Sequence, residues 1–201
     1  MTPHLLAPPA PVALSWDGLA VCSWPNLITT VRTVLAVALG LEAVVQRSAT
    51  LLLAAYGVYW VGDVLDGWVA RRLDQETRLG AVLDIISDRA CCAVLVCGLA
   101  SLRPELWPAL ALFLLQFMVL DCVLSLAFLR WPLTSPNYFY LVDRGVWRLN
   151  WSPPAKALNT VAVVGAVAAG SVLLATTVAA GQLALKAWSA RRVLDLEPHI
   201  G

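Results

Sequence analysis

The sequence predicts an all-α membrane protein with six transmembrane helices, and three observations carry that expectation. Of 201 residues, 60% are hydrophobic and 13% charged, with a mean hydropathy of +0.75; an ordinary soluble domain carries roughly 25% charged residues. Apolar runs long enough to cross a bilayer follow one another along the chain. The few charges gather mostly between those runs. Fourteen basic and thirteen acidic groups leave a net charge of +1, which offers neither the basic field that nucleic acid requires nor the acidic excess of a disordered tail. Membrane lipids, not nucleic acid, are therefore the expected surroundings.

Residues 1–24 contain no basic residue and carry Pro3, Pro8, Pro9 and Pro11, so they lack the charged start of a secretory signal and read as a leader. Within them, residues 15–24, bracketed by Trp16 and Trp24, have the pattern of a short interfacial helix, because indoles favour the headgroup level; an irregular tail is the alternative. Four spans are expected over residues 27–45, 50–69, 79–102 and 106–129. The uncharged run 157–185 is too long for one upright span and short for two, but Gly165, Gly170, Ser171 and Gly181 offer places to turn.

The basic residues decide between these readings, because cytoplasmic loops are enriched in Lys and Arg. Arg71, Arg72 and Arg78 follow the second run; Arg130, Arg144, Arg148 and Lys156 follow the fourth; Lys186, Arg191 and Arg192 follow the last. Two helices in the last run put all of them on one side and leave only Arg47 and Arg103 opposite. The expectation is a six-helix domain over residues 25–192, a tight hairpin near Gly170 and Ser171, a cytoplasmic tail over 193–201 and both termini in the cytoplasm. The cytoplasmic, plasma membrane is the expected location. Cys22, Cys91, Cys92, Cys97 and Cys122 lack the paired spacing of a metal knuckle and read as small buried hydrophobes.

Five carboxylates, Asp63, Asp66, Asp84, Asp88 and Asp121, fall inside or at the edges of the apolar runs, where each ionised group costs about 2.5 to 3.5 kcal/mol on insertion scales. Residues three or four apart share a helix face. Asp63 and Asp66 thus share one face of the second helix, and Asp84 and Asp88 one face of the third. The short connection makes these helices antiparallel neighbours, so the four acids can converge. Like charges so close repel, while hard divalent cations prefer carboxylate oxygens. A site for Mg2+ or Mn2+, one or two ions, is the physical expectation, with pairing to Arg71, Arg72 or Arg89 as the alternative. Gly67 and Gly80 flank the acidic pairs and would let a ligand or a second backbone approach.

Taken together, Asp63, Asp66, Gly67, Ala70, Arg71, Gly80, Asp84 and Asp88 match D-x2-D-G-x2-A-R-x8-G-x3-D-x3-D, and the chain resembles the CDP-alcohol phosphotransferases. The resemblance implies a six-helix integral membrane enzyme, commonly a homodimer, in phospholipid synthesis. It implies transfer of a substituted phosphate from CDP-diacylglycerol to a small alcohol acceptor, with CMP released. It further implies two metal ions held by Asp63, Asp66, Asp84 and Asp88, with Asp88 also the general base. Asp66, Gly67, Ala70, Arg71 and Gly80 would border the nucleotide. Pro25-Asn26-Leu27-Ile28-Thr29-Thr30-Val31-Arg32 resembles the family's P-N-x-x-T-x-x-R opening, in which Asn26 and Thr29 would face the nucleotide; read from the residues alone, Arg32 simply pairs with some carboxylate.

For the acceptor, the basic residues Arg144, Arg148 and Lys156 are the candidates, and they would suit a phosphorylated alcohol such as glycerol 3-phosphate or inositol phosphate. The Asp88-Arg89 pair is more similar to phosphatidylinositol synthases. The aromatics of the 131–153 loop, Tyr138, Tyr140, Trp147 and Trp151, read as interfacial anchors, and Asp121 as an acid that orients the acceptor or pairs with Arg32 or Arg89. Two other classes stay open: a membrane cation transporter, which would also place acids in spans, and an inactive membrane scaffold.

Overall fold

The computed structural model describes residues 22–197, and among them there are helices and no strand. The long helices begin where a hydroxyl side chain accepts from the first unsatisfied N–H groups. Ser23 caps α1 (Trp24–Gln46), with Pro25 in the first turn, where its missing N–H costs nothing. Ser48 caps α2 (Ala49–Arg72), and Thr77 caps α3 (Arg78–Leu102).

The next element, Pro104–Arg130, is continuous but irregular. A 3-10 turn leads into α4 (Trp107–Leu114), a π-helical stretch over Leu115–Asp121, α5 (Cys122–Leu126) and a closing 3-10 turn. A 3-10 segment, Pro136–Leu141, and α6 (Arg144–Asn150) then cross to α7 (Pro153–Ala168) and α8 (Val172–Leu194).

Among the described residues, four helices are long and apolar enough to cross a membrane: Trp24–Gln46, Arg78–Leu102, Pro104–Arg130 and Val172–Leu194. The remaining two fall short for different reasons. α2 has 24 residues, about 36 Å of rise, but its acids and arginines lower its hydropathy. α7 has 16 residues, about 24 Å against a hydrocarbon core of about 30 Å. The uncharged run is nonetheless two helices. They meet at Gly170, whose φ of +68° is a backbone conformation that L side chains rarely adopt. Arg103 at the α3 end lies beside that turn.

Many large apolar side chains are exposed, and several polar and charged ones are buried beside the apolar core. Leu53, Trp60, Val61, Leu158 and Leu173 are exposed, whereas Arg32, Asp66, Gln116, Asp121 and Lys186 are buried. An exposed apolar surface of this extent marks a membrane protein rather than a soluble monomer. α1 packs along both α2 and α3, and α8 lies along α4 and the π-helical stretch. Glycine lets α1 and α3 approach closely: a Cβ on Gly40 would sit 2.6 Å from Val94 Cγ1.

Several expectations change here. The leader and its interfacial helix lie almost wholly outside the described residues, and Trp24 opens α1 instead of closing a separate helix. The tail starts later than residue 193, because α8 continues to Leu194 and Arg130 donates to the carbonyls of Val193 and Leu196. Lys186 does not follow the last span; it lies inside α8, buried against Asp121.

The aromatics of the 131–153 loop are not simply anchors. Trp151 is buried with its ring 4.9 Å from Phe139, and Trp131 meets Phe139 edge-on at 5.3 Å. Trp147 donates through its indole N–H to the Asn137 carbonyl, and Tyr138 donates to Glu76, which pushes the phenol up to about 12. This loop is therefore a packed cap over one end of the helices. Asp143 begins α6; burial pushes its carboxyl up, but bonds from the Val146 N–H and from Arg192 outweigh that and hold it below the usual carboxylate range.

Candidate functional site

The acidic residues meet because α1 lies against both helices that carry them. Asp63 and Asp66 project from α2, Asp84 and Asp88 from α3, and Arg32 reaches all four from α1. Its Nη2 lies 2.5 Å from Asp84 Oδ1, 3.1 Å from Asp88 Oδ1 and 3.5 Å from Asp63 Oδ1, and its Nε donates to Asp66 Oδ2 at 2.9 Å. The Thr29 hydroxyl donates to the same Asp66 oxygen at 2.7 Å.

Arg32 can occupy this place because α2 has a glycine opposite it: a Cβ on Gly62 would lie 2.5 Å from Arg32 Cβ. The expected partners Arg71, Arg72 and Arg89 make no ion pair with these four acids among the described residues; Arg32 holds that position instead. Its fourfold pairing is what sequence reasoning missed. The signal available was Arg32's place on the apolar α1, one turn beyond Thr29, where a charge needs a buried partner.

With all four ionised, the carboxylates and the one guanidinium paired with them carry a formal charge of −3. Oxygens of Asp63, Asp66 and Asp84 lie within 4.8 Å of one another. Around one small octahedral cation, neighbouring oxygens are about 3.0 Å apart and opposite ones about 4.2 Å, so the three would have to draw together to share one ion. Carboxylates are the donor set that hard divalent cations prefer, and the residues fit such an ion.

Asp66 is the deepest of the four, whereas the side chains of Asp63 and Asp84 are each 40% exposed to the space in front of them. That space is a cavity of about 1600 Å3. Asn26, Thr29, Gly67, Ala70, Arg71 and Gly80 line it together with the four acids. Gly80 has a definite reason to be glycine, since a Cβ there would meet Asn26 Oδ1 at 2.9 Å. Gly67 brings the Arg71 guanidinium close over the helix, with Arg71 Nη1 3.3 Å from where a Cβ would be.

The acceptor candidates divide. Arg148 and Lys156 line the cavity, and Lys156 donates to Asn137 Oδ1 at 2.8 Å. Arg144 is exposed and is not part of the lining, because the first turn of α6 points it away while Val146 turns inward. A second polar group lies in the same cavity. Asp121 Oδ2 accepts from Arg89 at 2.5 Å and Asp121 Oδ1 from Lys186 at 2.5 Å. The pairing of Asp121 with Arg89 is one of those the sequence left open; Lys186 is an addition. The π-helical stretch ends at Asp121 and so sets where that carboxylate points. One turn before Lys186, Gln182 lines the same cavity, is only 9% exposed and has neither amide atom in a hydrogen bond.

A family model described as CDP-alcohol phosphatidyltransferase matches residues 22–188. Among curated proteins, the CDP-diacylglycerol–inositol 3-phosphatidyltransferase of Candida albicans is 38% identical over 81 residues, 40% of this chain and 34% of its own length. The protein of the same name from Schizosaccharomyces pombe is 44% identical over 43 residues, 21% of this chain and 18% of its own length. The one from Saccharomyces cerevisiae is 38% identical over 81 residues, 40% of this chain and 36% of its own length. The chain thus spans about a third or less of the length of these relatives. No solved structure gives a significant match. The family match takes in α1 to most of α8 and with them every acid of the site, and the chain belongs to the CDP-alcohol phosphatidyltransferase family.

Proposed function

We propose that this protein transfers a phosphatidyl group from CDP-diacylglycerol to a hydroxyl of inositol and releases CMP. The observation that carries the reading is the convergence of four carboxylates, from two helices, on one wall of a large cavity beside Asn26, Thr29 and Arg71. Asp63, Asp66, Asp84 and Asp88 would hold Mg2+ or Mn2+, as two ions. When bound, the ions would neutralise charge developing on the diphosphate. Asn26, Thr29, Gly67, Ala70 and Gly80 would border the cytidine monophosphate half, and Arg71 would offer its fork to a phosphate.

In the transfer itself, the acceptor oxygen attacks the phosphorus that bears the lipid. The bond from that phosphorus to the bridging oxygen breaks, and CMP leaves with the electron pair. Asp88 takes the proton from the attacking hydroxyl.

The names of the relatives favour inositol as the acceptor, and the Gln182 amide, with a donor and an acceptor both unused, suits an uncharged polyol. A phosphorylated acceptor would instead draw on Arg148 and Lys156. We assign the protein six spans with α2 and α7 included, both termini in the cytoplasm, and assembly as a homodimer in the plasma membrane.

The test is incubation of purified, detergent-solubilised protein with CDP-diacylglycerol, Mg2+ and a panel of inositol, inositol phosphate and glycerol 3-phosphate, with mass spectrometry of the lipid formed. Phosphatidylinositol is the expected product, and Mg2+-driven uptake into proteoliposomes without lipid turnover would point to a transporter instead. Gln182→Leu is expected to raise the KM for inositol about tenfold, the worth of two neutral hydrogen bonds, while the KM for CDP-diacylglycerol stays within about twofold. An unchanged inositol KM would remove Gln182 from the acceptor site.

A further inference from the structure

We infer that Arg32 is the positioning residue of the four-carboxylate site: it binds one oxygen of each acid and so holds the other oxygen of each toward the cavity for a divalent cation. The division of oxygens is the central observation. Arg32 takes Asp63 Oδ1, Asp66 Oδ2, Asp84 Oδ1 and Asp88 Oδ1, and Thr29 shares the Asp66 oxygen already taken. One oxygen of each carboxylate therefore remains outside the arginine's reach. Residues that ligate metals are commonly held by such a second partner, which fixes their orientation.

Three further features place the arginine deliberately. It is 3% exposed, so its charge cannot be solvated by water and is balanced by these acids alone. Its guanidinium carbon lies 5.5 Å from the centre of the Tyr59 ring, which braces it on the side of α2. The helix opposite carries Gly62 where any Cβ would strike Arg32 Cβ at 2.5 Å and Cδ at 2.6 Å. A lysine could not do the same work. Its ammonium is one point, whereas the arginine engages Asp66 through Nε and the other three acids through Nη2.

Two substitutions keep the positive charge while disturbing the geometry. Arg32→Lys loses the fork, and Gly62→Ala displaces the arginine that remains. The measurement is the rise in Tm of the detergent-solubilised protein on titration with Mg2+ after chelation, which reads cation binding without turnover. Each variant is expected to need about tenfold more Mg2+ than the wild type for half of its rise, within the range seen when second partners of metal ligands are lost. Either variant can carry the test if the other fails to fold. An unchanged Mg2+ requirement in the folded variants overturns the inference, and so does a lowered one, which would make Arg32 a competitor of the cation. This inference rests on the proposed cation site, and the two fail differently. A wild-type protein whose Tm ignores Mg2+ and Mn2+ sinks the cation site, whereas a wild-type response shared unchanged by the variants sinks only the role of Arg32.

Discussion

Asp88→Asn is expected to lower phosphatidyl transfer by about 10^3-fold while leaving the protein folded. Asparagine has nearly the same shape, so the packing of α3 is kept. It cannot accept a proton from the acceptor hydroxyl, and a positioned general base alone is worth about 10^2 to 10^4. It also withdraws one of the four negative charges that would hold the cation. Fold stability should change little, because Arg32 retains Asp63, Asp66 and Asp84 as partners. Asp84→Asn is expected to cost at least as much, since its oxygen belongs to the trio within 4.8 Å. CMP release from CDP-diacylglycerol, measured beside a thermal melt of the same sample, separates chemistry from unfolding. Undiminished release by a folded Asp88→Asn protein would remove Asp88 from the reaction.

The largest effect on stability is expected at Asp121. Its two oxygens are shared between Arg89 and Lys186, and all three side chains are nearly nine-tenths buried. Asparagine there leaves two buried cations without the carboxylate they share. Breaking a buried pair by removing one partner costs about 3 to 5 kcal/mol, since the uncompensated charge remains. The Arg89 guanidinium is fixed over the Phe117 ring at 4.0 Å, so it has little freedom to turn away. Pairing Asp121→Asn with Lys186→Met should recover much of the loss, because one cation of the two is then gone. Chemical unfolding in a fixed detergent would measure both. A single variant within about 1 kcal/mol of the wild type would mean that water reaches this cluster and solvates it.

Much of the helix plan was readable from the chain. The first four apolar runs became α1, α2, α3 and the composite Pro104–Arg130, with ends that differ by a few residues where caps such as Ser23 and Ser48 act. The turn at Gly170 was legible because an uncharged run of that length has to break, and glycine is the residue that accepts the backbone conformation. The meeting of Asp63 and Asp66 with Asp84 and Asp88 followed from spacing and a short connection. Less was legible in the 131–153 loop. Aromatics there could equally face headgroups or one another, and only the packing of Trp151 on Phe139 distinguishes the two. Lys186 was misread for a related reason. Counted by topology it belongs with Arg191 and Arg192, but a buried acid one helix away holds it inside α8.

Sequence by itself determined the class of protein, the helices and the four acids that share a site, because hydrophobic length and the 3.6-residue period are local properties of a chain. Tertiary structure alone decided which cation answers which carboxylate. Arg32 meets acids 31 to 56 positions away, and Asp121 meets Arg89 and Lys186 from two other helices. Such pairings depend on how each helix is rotated and where it crosses its neighbours, and those are set by small residues such as Gly40 and Gly62 at the contacts. The chain supplies the charges, and the crossing of its helices assigns them partners.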